Sequence, residues 1–256
     1  MLNTLNRWRI ECLGAVGFFT RIPVSDEALR SNLNQSAKFL PLVGLLVGGI
    51  SAIVLWLSME VFPVRVAIVL SIITSVLLTG AFHEDGLADS ADGLGGGYDK
   101  EAVLRIMQDS RIGSFGAIAL VLVLGLKLEL LAALPEEWLP WLLLAAHMAS
   151  RFFAVSFMAS LNYVRTEGKS KSLATRMPWP SLVFAGICGI TPLLLLDVLL
   201  GLICIGLLAL ARWLLGRYFV RRIGGYTGDC LGMAQQVFEV LIYAVFLAAL
   251  YTFMGE

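Results

Sequence analysis

A run of acidic residues in the first half of the chain has the spacing of a metal-binding helix face. Asp85, Asp89 and Asp92 are four and three residues apart, which places them within about 60° of one another on a helix. Three carboxylates on one face repel each other unless a cation lies among them. Oxygen ligands favour Mg²⁺, Mn²⁺ or Ca²⁺ over Zn²⁺, and Mg²⁺ keeps positions open for phosphate oxygens. The spacing therefore predicts metal-assisted phosphoryl chemistry.

Two residues beside this acidic face suit the same chemistry. His83 precedes the face, and its imidazole is a candidate general base, although single histidines are more often hydrogen-bonding groups. Glu84 points about 100° away on a helix and joins the metal ligands if the chain turns there. A merely solvated loop is the alternative, but this segment is also rich in glycine, which favours function. We therefore predict catalytic roles for His83, Glu84, Asp85, Asp89 and Asp92.

Charged residues also interrupt the apolar segments, where charge is costly. Arg151 is one helical turn from His147, and its guanidinium group is suited to binding a diphosphate. The alternative is that Arg151 belongs to an internal ion-pair set that fixes helix packing, together with Lys127, Glu129 and Glu239. On either interpretation these side chains are expected to face the interior of a bundle.

Two further polar segments are candidates for the binding of anions. The basic segment 163–171 includes Lys169, which suits a substrate phosphate and lipid headgroups equally well. The glycine-rich segment 224–232 enters an apolar helix, as anion and metal sites often do. Its candidate residues are Tyr226, Thr227, Gly228 and Asp229.

The composition indicates what kind of protein must position these residues. Of 256 residues, 58% are hydrophobic and 15% charged, whereas soluble domains are roughly 45–50% apolar and about 25% charged. The chain is therefore predicted to be a membrane protein. Its 19 basic and 19 acidic residues give no overall attraction to nucleic acid. The four cysteines form no closely spaced pair, so neither zinc sites nor disulfides are expected.

The hydropathy pattern predicts an all-α bundle of about seven transmembrane helices in a single domain, 1–256. Basic residues gather before the first span and at every second junction, which predicts a cytoplasmic N-terminus. Residues 1–39 suit a helix in the membrane interface, and residues 83–112 an acidic cytoplasmic active-site loop. The fifth and sixth spans form either a tight hairpin or one bent helix. The expected spans are 40–58, 64–82, 113–134, 139–161, 181–196, 198–215 and 237–254.

Several motifs together resemble those of cobalamin synthases, the adenosylcobinamide-GDP ribazoletransferases of cobamide biosynthesis. The main ones are HEDGLADSADG at 83–93, QDSRIGSFG at 108–116 and GYTGDCLG at 225–232. FFTRIPV at 18–24, PLVG at 41–44 and Ser150 with Arg151 agree as well. The match extends over nearly the whole chain, and the combination is far more specific than any single motif.

The resemblance implies a Mg²⁺-dependent, multi-pass enzyme of the bacterial inner membrane, with its active site on the cytoplasmic face. Such an enzyme joins adenosylcobinamide-GDP to alpha-ribazole or alpha-ribazole 5'-phosphate, and releases GMP. A homo-oligomer is compatible with the sequence. The implied metal ligands are Asp85, Asp89 and Asp92, with Glu84 and Asp229. The implied substrate-binding residues are Asp109, Ser110, Arg111, Arg151, Lys169, Tyr226, Thr227 and Gly228.

Two other functions compete with this one. A CDP-alcohol-type membrane phosphotransferase also uses spaced aspartates at helix ends, but its Asp-Gly-x-x-Ala-Arg run is missing from this sequence. A transporter would explain charges inside the apolar segments, but the sequence has no internal repeat of the kind that many transporters show.

Overall fold

The computed structural model describes residues 4–165 and 176–253, and over these residues the chain is all-α with no strand. The first four helices are α1 (Thr4–Phe19), α2 (Asp26–Leu29), α3 (Leu33–Ser36) and α4 (Leu40–Met59). They are followed by α5 (Val64–Thr79), α6 (Phe82–Gly96), α7 (Lys100–Ile106), α8 (Ser114–Ala132) and α9 (Leu139–Val155). The last four are α10 (Phe157–Ser160), α11 (Trp179–Leu196), α12 (Val198–Ile223) and α13 (Gly228–Phe253).

The prediction of a transmembrane bundle with about seven spans is confirmed. In the described part of the chain, six helical segments are long and apolar enough to cross a membrane, and the bent pair α5 and α6 supplies a seventh if it counts as one span. The six segments are Leu33–Met59, Ser114–Ala132, Glu136–Ser160, Trp179–Leu196, Val198–Ile223 and Gly228–Thr252.

The second predicted span differs from the observed structure at its end. It was expected to run straight through to Phe82, but α5 and α6 meet at an angle of 87°. Gly80 and Ala81 make the bend with φ values of 65° and 59°. This left-handed conformation suits glycine but costs alanine on the order of 1 kcal/mol. The bend directs α6 across the end of the bundle.

The segment 83–112 is mostly helical and is not the loop that we expected. Its glycine-rich part stays in α6 as far as Gly96, although glycine weakens isolated helices. Packing explains this result, because a Cβ atom at Gly93 would lie 2.9 Å from the carbonyl oxygen of Val103 in α7. The close contact between α6 and α7 needs a residue without a side chain.

The fifth and sixth spans form a tight hairpin. Asp197 joins α11 to α12 in an extended conformation, and its carboxylate accepts a hydrogen bond from Leu200 N at 2.8 Å. Asp197 lies beside Trp138 before α9. The other ends of both helices reach the opposite end of α9, where Met177 N donates to Met158 O and Arg212 donates to Ser156. The two helices are therefore antiparallel.

Candidate active site

A cavity of about 710 Å³ lies where α6 crosses the end of the bundle. This volume is in the range of small-molecule sites, about 300–1,000 Å³. Two carboxylates, from Asp85 and Asp229, share the cavity wall with two guanidinium groups, from Arg21 and Arg165. We call it the active cavity. Its remaining lining residues are Gly14, Gly17, Phe18, Thr20, Leu29, Ser31, Leu33, Thr79, Gly80, Phe82, Tyr163 and Gly228.

The three aspartates predicted to share a helix face all lie on α6. Their exposure falls along the helix: Asp85 is exposed, Asp89 is half-buried and Asp92 is only 8% exposed. Asp92 accepts hydrogen bonds from Gly113 N at 2.7 Å and from Gly116 N at 2.8 Å. Its carboxylate thus satisfies free amides at the start of α8. Asp92 anchors that helix, whereas Asp85 faces the active cavity.

His83 and Glu84 point away from the active cavity and into the bundle. Both are buried, and neither residue lines the cavity wall. Glu84 Oε1 accepts a hydrogen bond from Gln236 Nε2 of α13 at 2.9 Å. Because α6 is a regular helix here, Glu84 points about 100° away from Asp85 and into the bundle. The structure thus separates the predicted catalytic residues into two groups.

Asp229 reaches the active cavity through a short pairing of two extended segments. Tyr226 N donates to Asn162 O at 2.9 Å, and Val164 N donates to Tyr226 O at 3.0 Å. The next residue, Thr227, caps α13 by accepting a hydrogen bond from Cys230 N at 3.2 Å. These bonds fix the chain as it enters α13. They bring Asp229 beside the segment that follows α10.

The residue that this pairing places against Asp229 is Arg165. Its guanidinium group forms a close ion pair with the Asp229 carboxylate and also donates to Met107 O at 3.1 Å. Sequence reasoning did not select Arg165, which was only one member of a basic segment. The two residues are 64 positions apart, and no spacing rule connects residues so distant. The pairing of Tyr163 with Tyr226 was the missing information.

Arg21 is the second cavity residue that sequence reasoning did not select. It follows α1, and its backbone N donates to Leu78 O at 2.7 Å near the end of α5. The guanidinium group lies against Gly80, where a side chain would collide with it. The bend between α5 and α6 therefore provides the space for Arg21 on the cavity wall. The FFTRIPV motif at 18–24 was the feature of the sequence that could have identified Arg21.

Glycine allows α6 to approach α13 closely enough to bring their aspartates together. A Cβ atom at Gly86 would lie 2.9 Å from Asp229 O and 3.1 Å from Gly232 Cα. The backbones of the two helices are therefore in contact at this crossing. The crossing holds Asp85 and Asp229 on the wall of one cavity.

The carboxylates of Asp85 and Asp89 on α6 repel the carboxylate of Asp229 on α13 across this crossing. Within residues 4–165 and 176–253, no group of three or more His, Cys, Asp or Glu side chains is positioned to hold a metal ion. The anionic donors on the cavity wall are the carboxylates of Asp85 and Asp229, the chemistry that suits Mg²⁺. Mg²⁺ commonly binds one or two protein carboxylates and takes its remaining ligands from water and substrate phosphate.

The other residues expected to bind substrate lie in different places. Asp109 and Arg111 form an exposed ion pair at 2.6 Å outside the active cavity, and Ser110 is exposed between them. Hydrogen bonds from Arg111 lower the pKa of Asp109 to about 2. Lys169 lies outside the described residues. Of the remaining candidates, Gly228 lines the cavity, Thr227 and Tyr226 are buried, and burial raises the pKa of the Tyr226 hydroxyl.

Arg151 belongs to a buried polar network between α6, α8, α9 and α13. Its Nη1 atom lies 2.8 Å from His147 Nδ1, and the residue is 1% exposed. Lys127 Nζ lies 3.0 Å from Glu239 Oε1. The internal ion-pair alternative therefore describes Arg151 better than a phosphate clamp. The network, as we use the term below, comprises Glu84, Lys127, His147, Ser150, Arg151, Gln235, Gln236, Glu239 and Tyr243.

One member of the expected ion-pair set lies elsewhere. Glu129 was expected to face the bundle interior, but its side chain is 60% exposed and pairs with Arg65 at 2.6 Å. Lys127 is only two residues away on α8, so the two side chains point in very different directions. The expectation for Glu129 was wrong.

Comparison with known proteins gives a consistent result. Residues 11–247 match the family model described as cobalamin-5-phosphate synthase. The chain is 54% identical to the adenosylcobinamide-GDP ribazoletransferase of Ralstonia pickettii (strain 12J), over 89% of this chain and 91% of the relative. It is 46% identical to the protein of that name from Shewanella amazonensis (strain ATCC BAA-1098 / SB2B), over 91% and 93%. No solved structure gives a significant match.

Proposed function

The chain belongs to the cobalamin-5-phosphate synthase family, and we propose that it catalyses the ribazoletransferase reaction in the active cavity. In this reaction a ribose hydroxyl of alpha-ribazole, or of its 5'-phosphate, attacks the phosphorus that stays with cobinamide. A new P–O bond forms, the P–O bond between the two phosphates breaks, GMP leaves with the bonding electrons, and the proton of the attacking hydroxyl passes to solvent. The observation that carries the proposal is the meeting of Asp85, Asp229, Arg21 and Arg165 on one cavity wall.

Arg21 and Arg165 are the residues best placed to bind the diphosphate. Guanidinium groups form paired hydrogen bonds with phosphate oxygens. Arg165 is held by Asp229 and by the Met107 carbonyl, so its position is set before substrate arrives. Such preorganisation is what lets a charged group stabilise a transition state. His83 has no place in this scheme, because it is buried and does not line the active cavity.

Of the acidic residues at the crossing of α6 and α13, Asp85 and Asp229 line the active cavity, and they are the residues that would hold Mg²⁺. Their donor chemistry fits this ion, and one or two carboxylates are enough when the substrate supplies phosphate oxygens. A bound Mg²⁺ supplies stabilisation of the negative charge on the transferring and departing phosphates. Asp92 and Glu84 are left out of this set, because their carboxylates bond to α8 and to Gln236.

We further propose that the active cavity opens at the cytoplasmic face of the bacterial inner membrane. Arg21, Arg165 and Arg222 lie at the cavity end of the bundle. Glu137 and Asp197 lie together at the opposite end. Basic residues near the ends of spans are retained on the cytoplasmic side. To test this orientation, a cysteine is introduced at an exposed residue near the active cavity. Its accessibility is then compared in right-side-out and inverted vesicles.

The direct test is turnover by the purified full-length protein in lipid nanodiscs. Supplied with adenosylcobinamide-GDP and alpha-ribazole, it should release one GMP for each product molecule. A chelator should stop GMP release, and added Mg²⁺ should restore it. Asp85→Asn should lower turnover about 10²- to 10³-fold, as expected when a ligand of the ion that stabilises transition-state charge is lost.

The matched control for this test is Asp197→Asn. It makes the same chemical change in an exposed aspartate at the opposite end of the bundle, where asparagine caps α12 equally well, and should alter turnover by less than about twofold. Full activity of Asp85→Asn, or undiminished turnover after chelation, would contradict the proposal.

A further inference from the structure

A groove on the outside of the bundle carries three arginine side chains over an apolar floor. It has a volume of about 460 Å³ and lies between α10 and the second half of α12. Phe157, Leu161 and Gly216 form the floor, and a Cβ atom at position 216 would lie 3.2 Å from Phe157 Cε1. Glycine at 216 therefore preserves the depth of the groove. The arginines are Arg212, Arg217 and Arg221.

The position of these arginines along α12 is that of a membrane interface. α12 ends at Ile223, so Arg221 lies in its last turn, and Arg217 lies one turn deeper. Arg212 is about 14 Å from Arg221 along the helix axis. Charged side chains in the last turns of a span reach toward the headgroup layer. The groove thus begins among headgroups and extends toward the hydrocarbon.

The positive charge of the groove is not neutralised by the protein. Arg212 donates to Ser156 O at 2.9 Å and Ser160 Oγ at 2.6 Å, and these partners are uncharged. Arg217 lies 4.8 Å from the centre of the Trp213 ring. None of the three arginines forms an ion pair with an acidic residue in the described part of the chain. An anion is the complementary occupant.

The apolar surface beyond the groove indicates what kind of anion this is. Leu207 and Leu210 are exposed on α12 on the hydrocarbon side of the arginines, and Leu214 is exposed between Arg212 and Arg217. A soluble anion would use the positive charge alone, whereas a phospholipid also uses the apolar floor and flank. Basic pockets between spans are known to bind anionic headgroups. We propose that this groove is a binding site for an anionic phospholipid, with its phosphate at Arg217 and Arg221 and its chains along α12.

Trp213 beside the groove provides a direct probe for the test. The full-length protein is placed in phosphatidylcholine nanodiscs that contain a minor fraction of brominated phosphatidylglycerol. The difference in quenching between the wild type and Trp213→Phe isolates the Trp213 signal. We expect brominated phosphatidylglycerol to be enriched at Trp213 about fivefold for each of Arg217 and Arg221, relative to brominated phosphatidylcholine. Arg217→Gln combined with Arg221→Gln should reduce the quenching to the phosphatidylcholine level.

The control removes two other exposed arginines, Arg30→Gln with Arg105→Gln, and should keep the preference. Equal quenching by the two brominated lipids would overturn the proposal. So would an equal loss of preference in the control variant. If inorganic phosphate abolishes the preference while chloride at the same ionic strength does not, the groove is a soluble-anion site and the lipid assignment is wrong. Circular dichroism shows that each variant is folded.

Discussion

The active cavity and the buried network contain similar charged groups but use them in opposite ways. In the network, the charges of Lys127 and Arg151 are balanced by those of Glu84 and Glu239, and all four residues are buried. In the active cavity, Asp85 is exposed and pairs with no basic residue in the described part of the chain. Charge inside the bundle is compensated by the protein itself, whereas the carboxylate of Asp85 on the cavity wall remains available to a ligand.

Helix α6 is the boundary between the two regions. Glu84 and Asp85 are consecutive residues, but one bonds to Gln236 in the network and the other lines the active cavity. A carboxylate's role here depends on the side of α6 from which it projects. This contrast predicts large effects on stability for one set of residues and large effects on catalysis for the other.

The largest effect on stability is expected for Glu239→Gln. The substitution leaves Lys127 as a buried cation without its partner at 3.0 Å. Loss of one member of a buried ion pair costs about 3–5 kcal/mol of unfolding free energy. Reversible unfolding in detergent and urea measures it. Glu129→Gln is the matched control, because its exposed pair with Arg65 contributes little. Equal stability of the two variants would contradict the distinction.

Arg165→Gln should act mainly on catalysis. It removes the cation that holds Asp229 beside the active cavity. Loss of a residue that orients a metal ligand typically costs about 10- to 100-fold in metal affinity or activity. Steady-state turnover as a function of Mg²⁺ concentration separates the two effects. Arg105→Gln, an exposed arginine on α7, should behave like the wild type. A wild-type Mg²⁺ dependence for Arg165→Gln would show that the ion pair is not needed.

Gly86→Ala should disturb both regions, because Gly86 lies at the crossing of α6 and α13. The added methyl group would lie 2.9 Å from Asp229 O, and overpacking of this kind costs about 1–3 kcal/mol. Thermal unfolding and turnover should both decline. Gly125→Ala adds the same group on α8, where nothing lies within 4 Å, and should leave both unchanged or stabilise the helix slightly. Matching results for the two variants would show that α6 has room to move.

The smallest effect concerns the pH dependence of the exposed Asp109 and Arg111 pair. Arg111 lowers the pKa of Asp109 in the folded protein to about 2. The stabilisation is therefore present above the unfolded pKa and is lost as pH falls through about 2. Infrared difference spectra of the wild type and Asp109→Asn follow the protonation of this carboxylate. Protonation of Asp109 at the ordinary pH of an aspartate would contradict the pairing.

The sequence predicted the bundle well because its apolar segments are long, and their composition alone identifies them. It also predicted that Asp85, Asp89 and Asp92 share a helix face. It did not predict the bend at Gly80 and Ala81, because the hydropathy of α5 is uninterrupted up to that point. Helical bonds are local, so periodicity shows which residues share a face but not which partner that face meets.

The composition of the candidate site was less predictable for the same reason. The role of Asp92 depends on the start of α8, and that of Arg151 on residues from α6 and α13. The selection of Arg165 required the pairing of Tyr163 with Tyr226. Each of these contacts joins residues that are far apart in the chain. The motifs of the family marked the right segments without showing which side chains line the cavity.

The central claim is that carboxylates on the active cavity hold a divalent ion against the substrate diphosphate. Mn²⁺ binding, followed by electron paramagnetic resonance with adenosylcobinamide-GDP present, tests it most directly. We expect the wild type and Asp197→Asn to bind Mn²⁺ alike, and Asp85→Asn with Asp229→Asn to lose the bound signal while remaining folded. Undiminished Mn²⁺ binding by the double variant would contradict the account.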